Sequence, residues 1–332
     1  MTSSRPSTAD KRKTFRKLHE SGCFVIPNPW NVGSARYLQG LGFKALATTS
    51  AGHAHAQGFA DGAQSRDDVL AHYRELAAAT DVPLNADFEN GFADDPSGVA
   101  ENVTRCISTG VAGLSIEDSP NNSTTPLYDF DLSVARVKAA RVAVDRAGGD
   151  VVFTARAENF IRGVPDLGDA IRRLKAYAAA GADCLYAPGI RTAEQIAAVV
   201  KAVAPKPVNV LMSAATGLTV ADLAGLGVRR ISVGSALARV AWGAFMRASR
   251  QIAADGRFDG GHCLRPRDRD RHERKRKQDR ILKRQDRQRD RVGHGADSSV
   301  EIFTNSMPSR YSVTIRPCSR PPVSSNSRSN CS

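Results

Sequence analysis

Short apolar runs that end in a charged residue recur along the middle of the chain at nearly regular spacing. Three of them are Pro83–Asp87, Gly113–Asp118 and Val151–Arg156. Each begins about 30 to 40 residues after the one before it, which is the length of one strand plus one helix. Parallel strands joined in this way bring their C-terminal ends to one face, where their side chains form a shared polar site. The spacing therefore predicts an α/β enzyme with its site at the strand ends.

The full pattern contains eight strand candidates, and helix-like stretches separate most of them. Strands are predicted at Cys23–Pro27, Ala45–Ser50, Pro83–Phe88, Gly113–Glu117, Val151–Arg156, Cys184–Ala187, Val208–Met212 and Arg230–Gly234. Helices are predicted at Asp67–Ala79, Ser97–Thr109, Leu132–Arg146, Leu167–Ala180, Thr192–Val203 and Ala236–Ala254, where apolar residues recur at helical spacing. Eight units favour a (β/α)8 TIM barrel. An open doubly wound sheet, the alternative, would need a Gly-rich phosphate loop after its first strand, and Asn28–Asn31 is not one.

The basic charge of the chain is concentrated near its C-terminus. Residues 262–332 contain 18 Lys/Arg against 8 Asp/Glu, whereas residues 1–261 contain 29 against 26. Since the C-terminal segment has few apolar residues, we predict a disordered Arg-rich tail at 262–332. Its abrupt onset also suggests the hypothesis of an out-of-frame extension. The predicted organisation is a polar arm at 1–14, a barrel at 15–261 and this tail.

Cysteine usage and hydropathy favour a cytoplasmic location. The six cysteines show no CxxC or other metal-like spacing, so neither a disulfide framework nor a zinc site is predicted. The chain has no apolar run long enough to span a membrane, and its polar N-terminus lacks the apolar core of a secretory signal.

The polar residues at the strand ends are of types that bind a divalent cation and an anion. Asn85 and Asp87 alternate on the third strand and therefore share a face. Glu117 ends the fourth strand, and Arg156 ends the fifth, shortly before Glu158. Such oxygen ligands suit Mg²⁺, and a guanidinium group suits a carboxylate or phosphoryl group. The alternative is an internal salt-bridge network that only closes the top of the barrel.

Two further segments are candidates for the same site. The small residues of Thr48–Gly52, at the end of the second strand, offer backbone N–H groups and hydroxyls to an oxyanion; an ordinary turn is the alternative. Asp61 lies in a Gly-flanked loop that could fold over the site, although a turn-forming Asp is equally compatible. His53 and His55 form an H-x-H pair, which by itself rarely binds a metal.

In these segments the chain resembles the isocitrate lyase/phosphoenolpyruvate mutase superfamily, from about Phe15 to Phe258. The resemblance rests on Asn85-Ala86-Asp87, Ser115-Ile116-Glu117-Asp118, Ala155-Arg156-Ala157-Glu158, Thr49-Ser50-Ala51-Gly52, Leu185–Gly189, Pro207–Leu211 and Ile231–Gly234. Their order and spacing across eight strands are more specific than any single motif.

The resemblance implies a Mg²⁺-dependent barrel enzyme that makes or breaks a C–C or P–C bond next to a carboxylate, through an enolate-type species. It implies roles as metal ligands for Asp87, Glu117 and Asn85, and catalytic roles for Arg156, Glu117 and Asp61. Substrate contacts are expected from Arg156, from Asn209, and from Thr49, Ser50, Ala51 and Gly52.

Two departures from the family pattern narrow the activity. Isocitrate and methylisocitrate lyases resemble one another in a Lys-Lys-Cys-Gly-His loop after the fourth strand, and Ser119–Pro126 has no Cys, Lys or His. We therefore exclude those two activities. Phosphonate mutases carry a Lys and an Asn in this loop, so Asn121 or Asn122 is a partial match only. Asn85 stands where the family has its first metal-site carboxylate, which removes one negative charge.

We expect a lyase or hydrolase of the mutase-like branch that acts on a small anionic 2-oxo or 2-hydroxy acid. The alternatives are a phosphonomutase resembling phosphoenolpyruvate mutase or carboxyvinyl-carboxyphosphonate phosphorylmutase, and a barrel that binds an oxo-acid without turnover. Nucleic-acid binding through residues 265–291 is disfavoured, because that run interleaves acidic residues and has no aromatic ones. The resemblance further implies a homo-oligomer, either a tetramer that exchanges its last helices or a dimer.

Overall fold

Eight parallel strands form one sheet in the computed structural model, which describes residues 5–120 and 124–258. The strands are β1 Phe24–Ile26, β2 Leu46–Ala47, β3 Leu84–Asp87, β4 Gly113–Glu117, β5 Val152–Arg156, β6 Cys184–Tyr186, β7 Val208–Leu211 and β8 Arg230–Ser232. Each strand from β2 to β7 pairs with the next one in sequence, and β8 pairs with β1 at the register Phe24↔Arg230. A helix precedes or follows every strand, so the predicted (β/α)8 barrel is confirmed.

No regular pattern of backbone hydrogen bonds joins β1 to β2, but single hydrogen bonds connect the ends of the two strands. The backbone N–H of Ala47 donates to Pro27 O at 3.1 Å. The amide nitrogen of Asn28 donates to Thr48 O at 2.8 Å, and its oxygen accepts the backbone N–H groups of Val233 and Gly234 at 2.9 Å. Asn28 therefore ties β1 to the ends of β2 and β8 at the rim.

Helices separate the strands and cover the outside of the barrel. They are α1 Thr8–Leu18, α2 Val32–Gly40, α3 Ser50–Ala56, α4 Arg66–Ala79, α5 Pro96–Ile107, α6 Phe130–Arg146, α7 Leu167–Ala179, α8 Ala193–Val203, α9 Val220–Gly225 and α10 Ala236–Asp255. The six predicted helices are present, with ends shifted by a few residues. The other four were not predicted, since three of them are short and the fourth, α1, is polar.

Helix α1 changes the picture of the N-terminus. Residues 1–14 were predicted to be a polar arm, but α1 runs from Thr8 to Leu18 across that boundary. Its Phe15 is fully buried and packs in a cluster with Ile26 and Val152 of the strands. Some of its polar side chains also bond to backbone oxygens of other elements, for example Lys11 Nζ, which donates to Ala77 O at 2.8 Å. Because most residues of α1 are polar, the sequence did not predict this helix.

The barrel interior changes from apolar to polar along its axis. The main core lies between the sheet and the outer helices, and the Phe15 cluster fills part of the inside. Further along the strands, the buried side chains are polar. These residues are Asn85, Ser115, Thr154, Asn209, Arg230 and Ser232. Burial of so many polar groups indicates a site rather than a packed core.

Several predictions fall on residues that the structure leaves undescribed. They are the disordered tail at 262–332 with its out-of-frame hypothesis, nucleic-acid binding through 265–291, and the roles of Asn121 and Asn122. Within the described part, no helix has the length and apolar character needed to cross a membrane.

Candidate active site

The guanidinium group of Arg156, at the end of β5, lies at the centre of the polar cluster. Its Nη1 lies 2.5 Å from Asp87 Oδ1 of β3, and its Nη2 lies 3.2 Å from Glu117 Oε2 of β4. Its Nε donates to Glu158 Oε1 at 2.7 Å. Arg162 adds a second guanidinium group, 3.1 Å from Glu117 Oε1. Three carboxylates from three consecutive strand ends thus meet at the guanidinium group of Arg156. The sequence predicted that these side chains converge, and a salt-bridge network of this kind was its alternative to a metal site.

Burial gives this network unusual acid–base properties. Glu117 and Glu158 are 6% and 0% exposed. Burial, followed by the charge of Glu158, raises the pKa of Glu117 well above its usual range. Burial likewise raises the pKa of Glu158 despite the adjacent Arg156. Burial opposes the charged form of Arg156 too, but the three carboxylates raise its pKa well above the ordinary value. Arg156 therefore stays cationic.

A cavity of about 130 Å³ opens beside Asp87 and Arg156. This volume far exceeds the roughly 10–15 Å³ that one water needs. Its lining is mostly polar, with an apolar wall formed by Ile26, Ala47 and Leu211. The polar lining consists of Asn28, Thr48, Thr49, Ser50, Asn85, Asp87, Ser115, Arg156, Tyr186, Asn209, Arg230, Ser232 and Ser235. The cavity can hold a small acid with several oxygen atoms.

The segment predicted to bind an oxyanion forms the start of α3. Thr49 is the N-cap residue, and its hydroxyl accepts the backbone N–H of Gly52 at 3.2 Å. The backbone N–H of Ser50 donates to Asp87 Oδ2 at 3.2 Å. Thr49, Ser50 and Ala51 line the cavity. Gly52 does not; it packs closely against Thr49 and Ala238.

Other predicted residues lie around the cavity in different ways. Asn209 lines it, although its amide already contacts Ser232 and Arg230. Glu117 lies behind Arg156 and lines a separate small pocket instead. Asp61 is exposed and outside the lining. Its charge still reaches Glu89, where burial, then Asp87, then Asp61 raise the pKa to about 8.

Sequence reasoning missed several residues that shape the site. Tyr186 lies under Arg156, with the guanidinium carbon 5.1 Å from its ring centroid, which fits a cation–π contact. The hydroxyl of Tyr73 on α4 donates to the backbone oxygen of Asp87. Tyr186 ends β6 and Asn28 follows β1, so the strand-end rule that found Arg156 could have found both. The contact of Tyr73 had no comparable signal.

The residues present are compatible with a divalent cation. Asn85 Oδ1 is buried and accepts no hydrogen bond from any described residue, and Asn85 lines the cavity with Asp87. Within the described ranges, no three His, Cys, Asp or Glu side chains are grouped to ligate one ion. Mg²⁺, however, often takes only one or two carboxylates and completes its shell with waters and substrate oxygens. Asp87 and Asn85 are therefore the residues that would hold it from the cavity side.

Comparison with known proteins agrees with the barrel fold. A family model described as phosphoenolpyruvate phosphomutase matches residues 15–253. The structure of a proposed lyase/mutase from Burkholderia cenocepacia J2315 superposes with a TM-score of 0.76 at 48% identity, over 80% of this chain and 95% of that one. Oxaloacetate acetylhydrolase in complex with its product oxalate superposes with a TM-score of 0.71 at 27% identity, over 79% of this chain and 93% of that one.

A curated sequence relative is also informative. The oxaloacetate decarboxylase of Paraburkholderia xenovorans (strain LB400) is 30% identical over 244 residues, which cover 69% of this chain and 76% of its own length. Similarity to lyases and mutases supports an enzyme. The match over residues 15–253 shows that the chain belongs to the phosphoenolpyruvate phosphomutase family, within the predicted isocitrate lyase/phosphoenolpyruvate mutase superfamily.

Proposed function

We propose that the chain is a Mg²⁺-dependent lyase or hydrolase that cleaves a C–C or P–C bond next to the carboxylate of a small 2-oxo or 2-hydroxy acid. The observation that carries the proposal is the cavity between Arg156, Asp87 and the unpaired oxygen of Asn85. Members of the superfamily are generally dependent on a divalent metal. Two similar proteins act on oxaloacetate by name.

In this proposal the protein residues position the acid and stabilise charge. A divalent cation, when bound, supplies the Lewis acid that stabilises an enolate-type fragment. Thr49 and Ser50 line the cavity, where their hydroxyls can donate hydrogen bonds to substrate oxygens. The backbone N–H of Ser50 holds the Asp87 carboxylate in position. Arg156 is held rigidly by its three carboxylates and in turn fixes the position of Asp87 on the cavity wall. The apolar wall at Ile26 and Leu211 excludes water from the other side.

Turnover of a panel of acids tests this function. The panel contains oxaloacetate, 2-alkylmalates and 3-phosphonopyruvate, each assayed with Mg²⁺ and with EDTA. We expect cleavage of at least one acid with Mg²⁺, and a loss on the order of 100-fold or more in Asp87→Asn. The matched control is Asp81→Asn, which changes an exposed Asp just before the same strand. Turnover that persists in EDTA, or no turnover in the whole panel, contradicts the proposal.

The panel also separates the proposed activity from its alternatives. Isomerisation of 3-phosphonopyruvate to a phosphate ester, without release of phosphate, would identify a phosphonomutase. Mg²⁺-dependent binding of these acids without any product would identify a barrel that binds an oxo-acid only.

We also propose that the chain forms a homo-oligomer through α10. Of its twenty residues only Ala238 is buried. Val240 is 70% exposed, Phe245 is 59% exposed and Met246 is 43% exposed. Several large exposed apolar residues on one helix are typical of an interaction surface, and a second copy is the partner that the family resemblance predicts.

Light scattering of the full chain tests this assembly. Wild type is expected to give a dimer or tetramer, and Phe245→Glu is expected to shift it toward monomer. The control is Val142→Glu, which places the same charge at an exposed valine of α6. A monomeric wild type contradicts the proposal.

A further inference from the structure

A buried arginine of α6 binds the backbone of the loop that follows β3, residues 88–95. This arginine, Arg136, is only 1% exposed. Its Nη1 donates to Ala93 O and, at 2.6 Å, to Asp94 O. Its Nη2 donates to Asn90 O. One guanidinium group therefore holds three carbonyl groups of a single short loop, although it lies outside the large cavity.

Tyr128, between β4 and α6, binds the same loop and the same arginine. The guanidinium carbon of Arg136 lies 4.0 Å from the centroid of the Tyr128 ring, which fits a cation–π contact. The Tyr128 hydroxyl donates to the carboxylate of Asp94 and accepts the amide N–H of Asn90 at 3.0 Å. We call Arg136 and Tyr128 together the loop clamp, because all their loop contacts are to the segment 88–95.

The clamped loop has a strained backbone. Glu89 and Phe92 have positive φ angles of 45° and 54°, in the left-handed region that residues other than Gly, Asn and Asp seldom adopt. Such conformations cost energy and persist only where the surrounding structure enforces them. Two of the carbonyl groups that Arg136 binds belong to Asn90 and Ala93, which directly follow the two strained residues. The loop clamp is therefore placed to enforce both conformations.

The same loop is continuous with the candidate active site. It begins directly after Asp87, the last residue of β3. Its Glu89 is only 6% exposed, and the backbone oxygen of Glu89 accepts the N–H of Glu117 at 2.8 Å. Arg136 also lines one small pocket together with Glu117 and Arg156. A change in the loop backbone would therefore reach Asp87 along the chain and Glu117 through a hydrogen bond.

We propose that Arg136 and Tyr128 are positioning residues: the loop clamp holds the loop after β3 in its left-handed conformation and thereby sets the affinity of the site for the divalent cation and its acid. This inference rests on the proposed function and adds two residues to it. Neither residue lines the large cavity, so their effect passes through the loop backbone to Asp87. A site held in its binding geometry before the ligand arrives loses less free energy to ordering when the ligand binds.

Electron paramagnetic resonance of the full chain, with Mn²⁺ in place of Mg²⁺ and with oxalate as the acid, tests the inference. Arg136→Lys keeps the charge but loses the planar fork that reaches three carbonyl groups, and it is expected to weaken Mn²⁺ binding roughly 10-fold. Tyr128→Phe keeps the ring, removes both hydroxyl contacts and is expected to weaken it about three- to tenfold, which provides a second test where Arg136→Lys folds poorly. The control is Arg146→Lys, at an exposed arginine of the same helix, with an expected affinity equal to that of wild type.

A rescue experiment separates positioning from general structural support. Asn adopts the left-handed conformation more readily than Phe, so Phe92→Asn removes strain that the loop clamp otherwise has to enforce. Added to either clamp variant, Phe92→Asn is expected to recover at least about threefold of the lost affinity, whereas in wild type it brings no gain. A clamp that only packs the barrel predicts losses that add.

Additive losses, or an unchanged Mn²⁺ affinity in a folded clamp variant, overturn the inference while the proposed function stands. If wild type has no Mn²⁺ site that responds to oxalate, both proposals fall.

Discussion

Replacement of Arg156 by methionine is the perturbation that most directly probes the carboxylate cluster. The variant keeps a side chain of similar length but removes the cation that contacts Asp87, Glu117 and Glu158. Arg162 still pairs with Glu117. Asp87 and Glu158 lose their guanidinium partner in a region that is largely shielded from water.

The expected loss follows from this burial. Removal of one partner from a buried ion pair costs about 3–5 kcal/mol, and we expect a loss of that size in the free energy of unfolding near neutral pH. Protonation of Glu117 and Glu158 limits this loss. Burial raises the pKa of Glu117 and Glu158 above the ordinary 4.5, and loss of Arg156 raises both further. The folded variant then binds more protons than the unfolded chain above pH 4.5, so its stability recovers as the pH falls toward that value.

Urea unfolding in EDTA measures the effect at two pH values. Arg156→Lys keeps the charge but not the three-pronged geometry, so an intermediate loss of about 1–3 kcal/mol is expected. The control is Arg172→Met, which removes an exposed arginine paired with Asp169 and should cost no more than about 1 kcal/mol. A loss below about 1 kcal/mol for Arg156→Met, or a loss that grows as the pH falls, would refute the reasoning.

Three smaller predictions test the parts of the barrel that support the site. Gly113→Ala places a Cβ 2.5 Å from the Phe15 ring and should lower the free energy of unfolding by about 1–3 kcal/mol in urea titrations; an unchanged midpoint would contradict this packing. Asn28→Ala leaves the N–H groups at the end of β8 and Thr48 O without their partner and should cost about 1–3 kcal/mol by the same assay. Burial lowers the pKa of His72 from 6.5 to about 3. Only the unfolded chain binds that proton between these pH values. The free energy of unfolding therefore decreases as the pH is lowered from 6.5 to 3, by up to about 1.4 kcal/mol per pH unit. His72→Phe should flatten the profile, and an unchanged slope would exclude His72 as its source.

The regular features of the fold were accessible from the sequence because they depend on local patterns. Each observed strand lies within a predicted run, since buried parallel strands require short apolar stretches. The strand-end rule found Asp87, Glu117 and Arg156, because parallel strands must deliver their last residues to one rim. The structure brings these three side chains into contact.

The features that the sequence did not predict depend on contacts between distant parts of the chain. Polar residues of α1 bond to backbone oxygens far away in sequence, as Arg12 does with Val111 O at 3.1 Å. A helix that buries only Phe15 therefore had the composition of a solvated arm. Arg230 lies within a predicted strand, but its contacts with Asn209, Thr154 and His19 are visible only once its neighbours are known. Glu117 was expected to face the cation, and its place behind Arg156 follows from packing that no spacing encodes.

The central claim is that the side-chain oxygens of Asn85 and Asp87 on β3 hold a divalent cation together with a small acid. Mn²⁺ can replace Mg²⁺ as a paramagnetic probe, and electron paramagnetic resonance of the full chain measures its binding with and without oxalate. We predict a bound Mn²⁺ whose spectrum and affinity change when oxalate is added, and loss of that oxalate-dependent site in Asp87→Asn. Oxalate-independent binding that Asp87→Asn leaves unchanged would contradict the account.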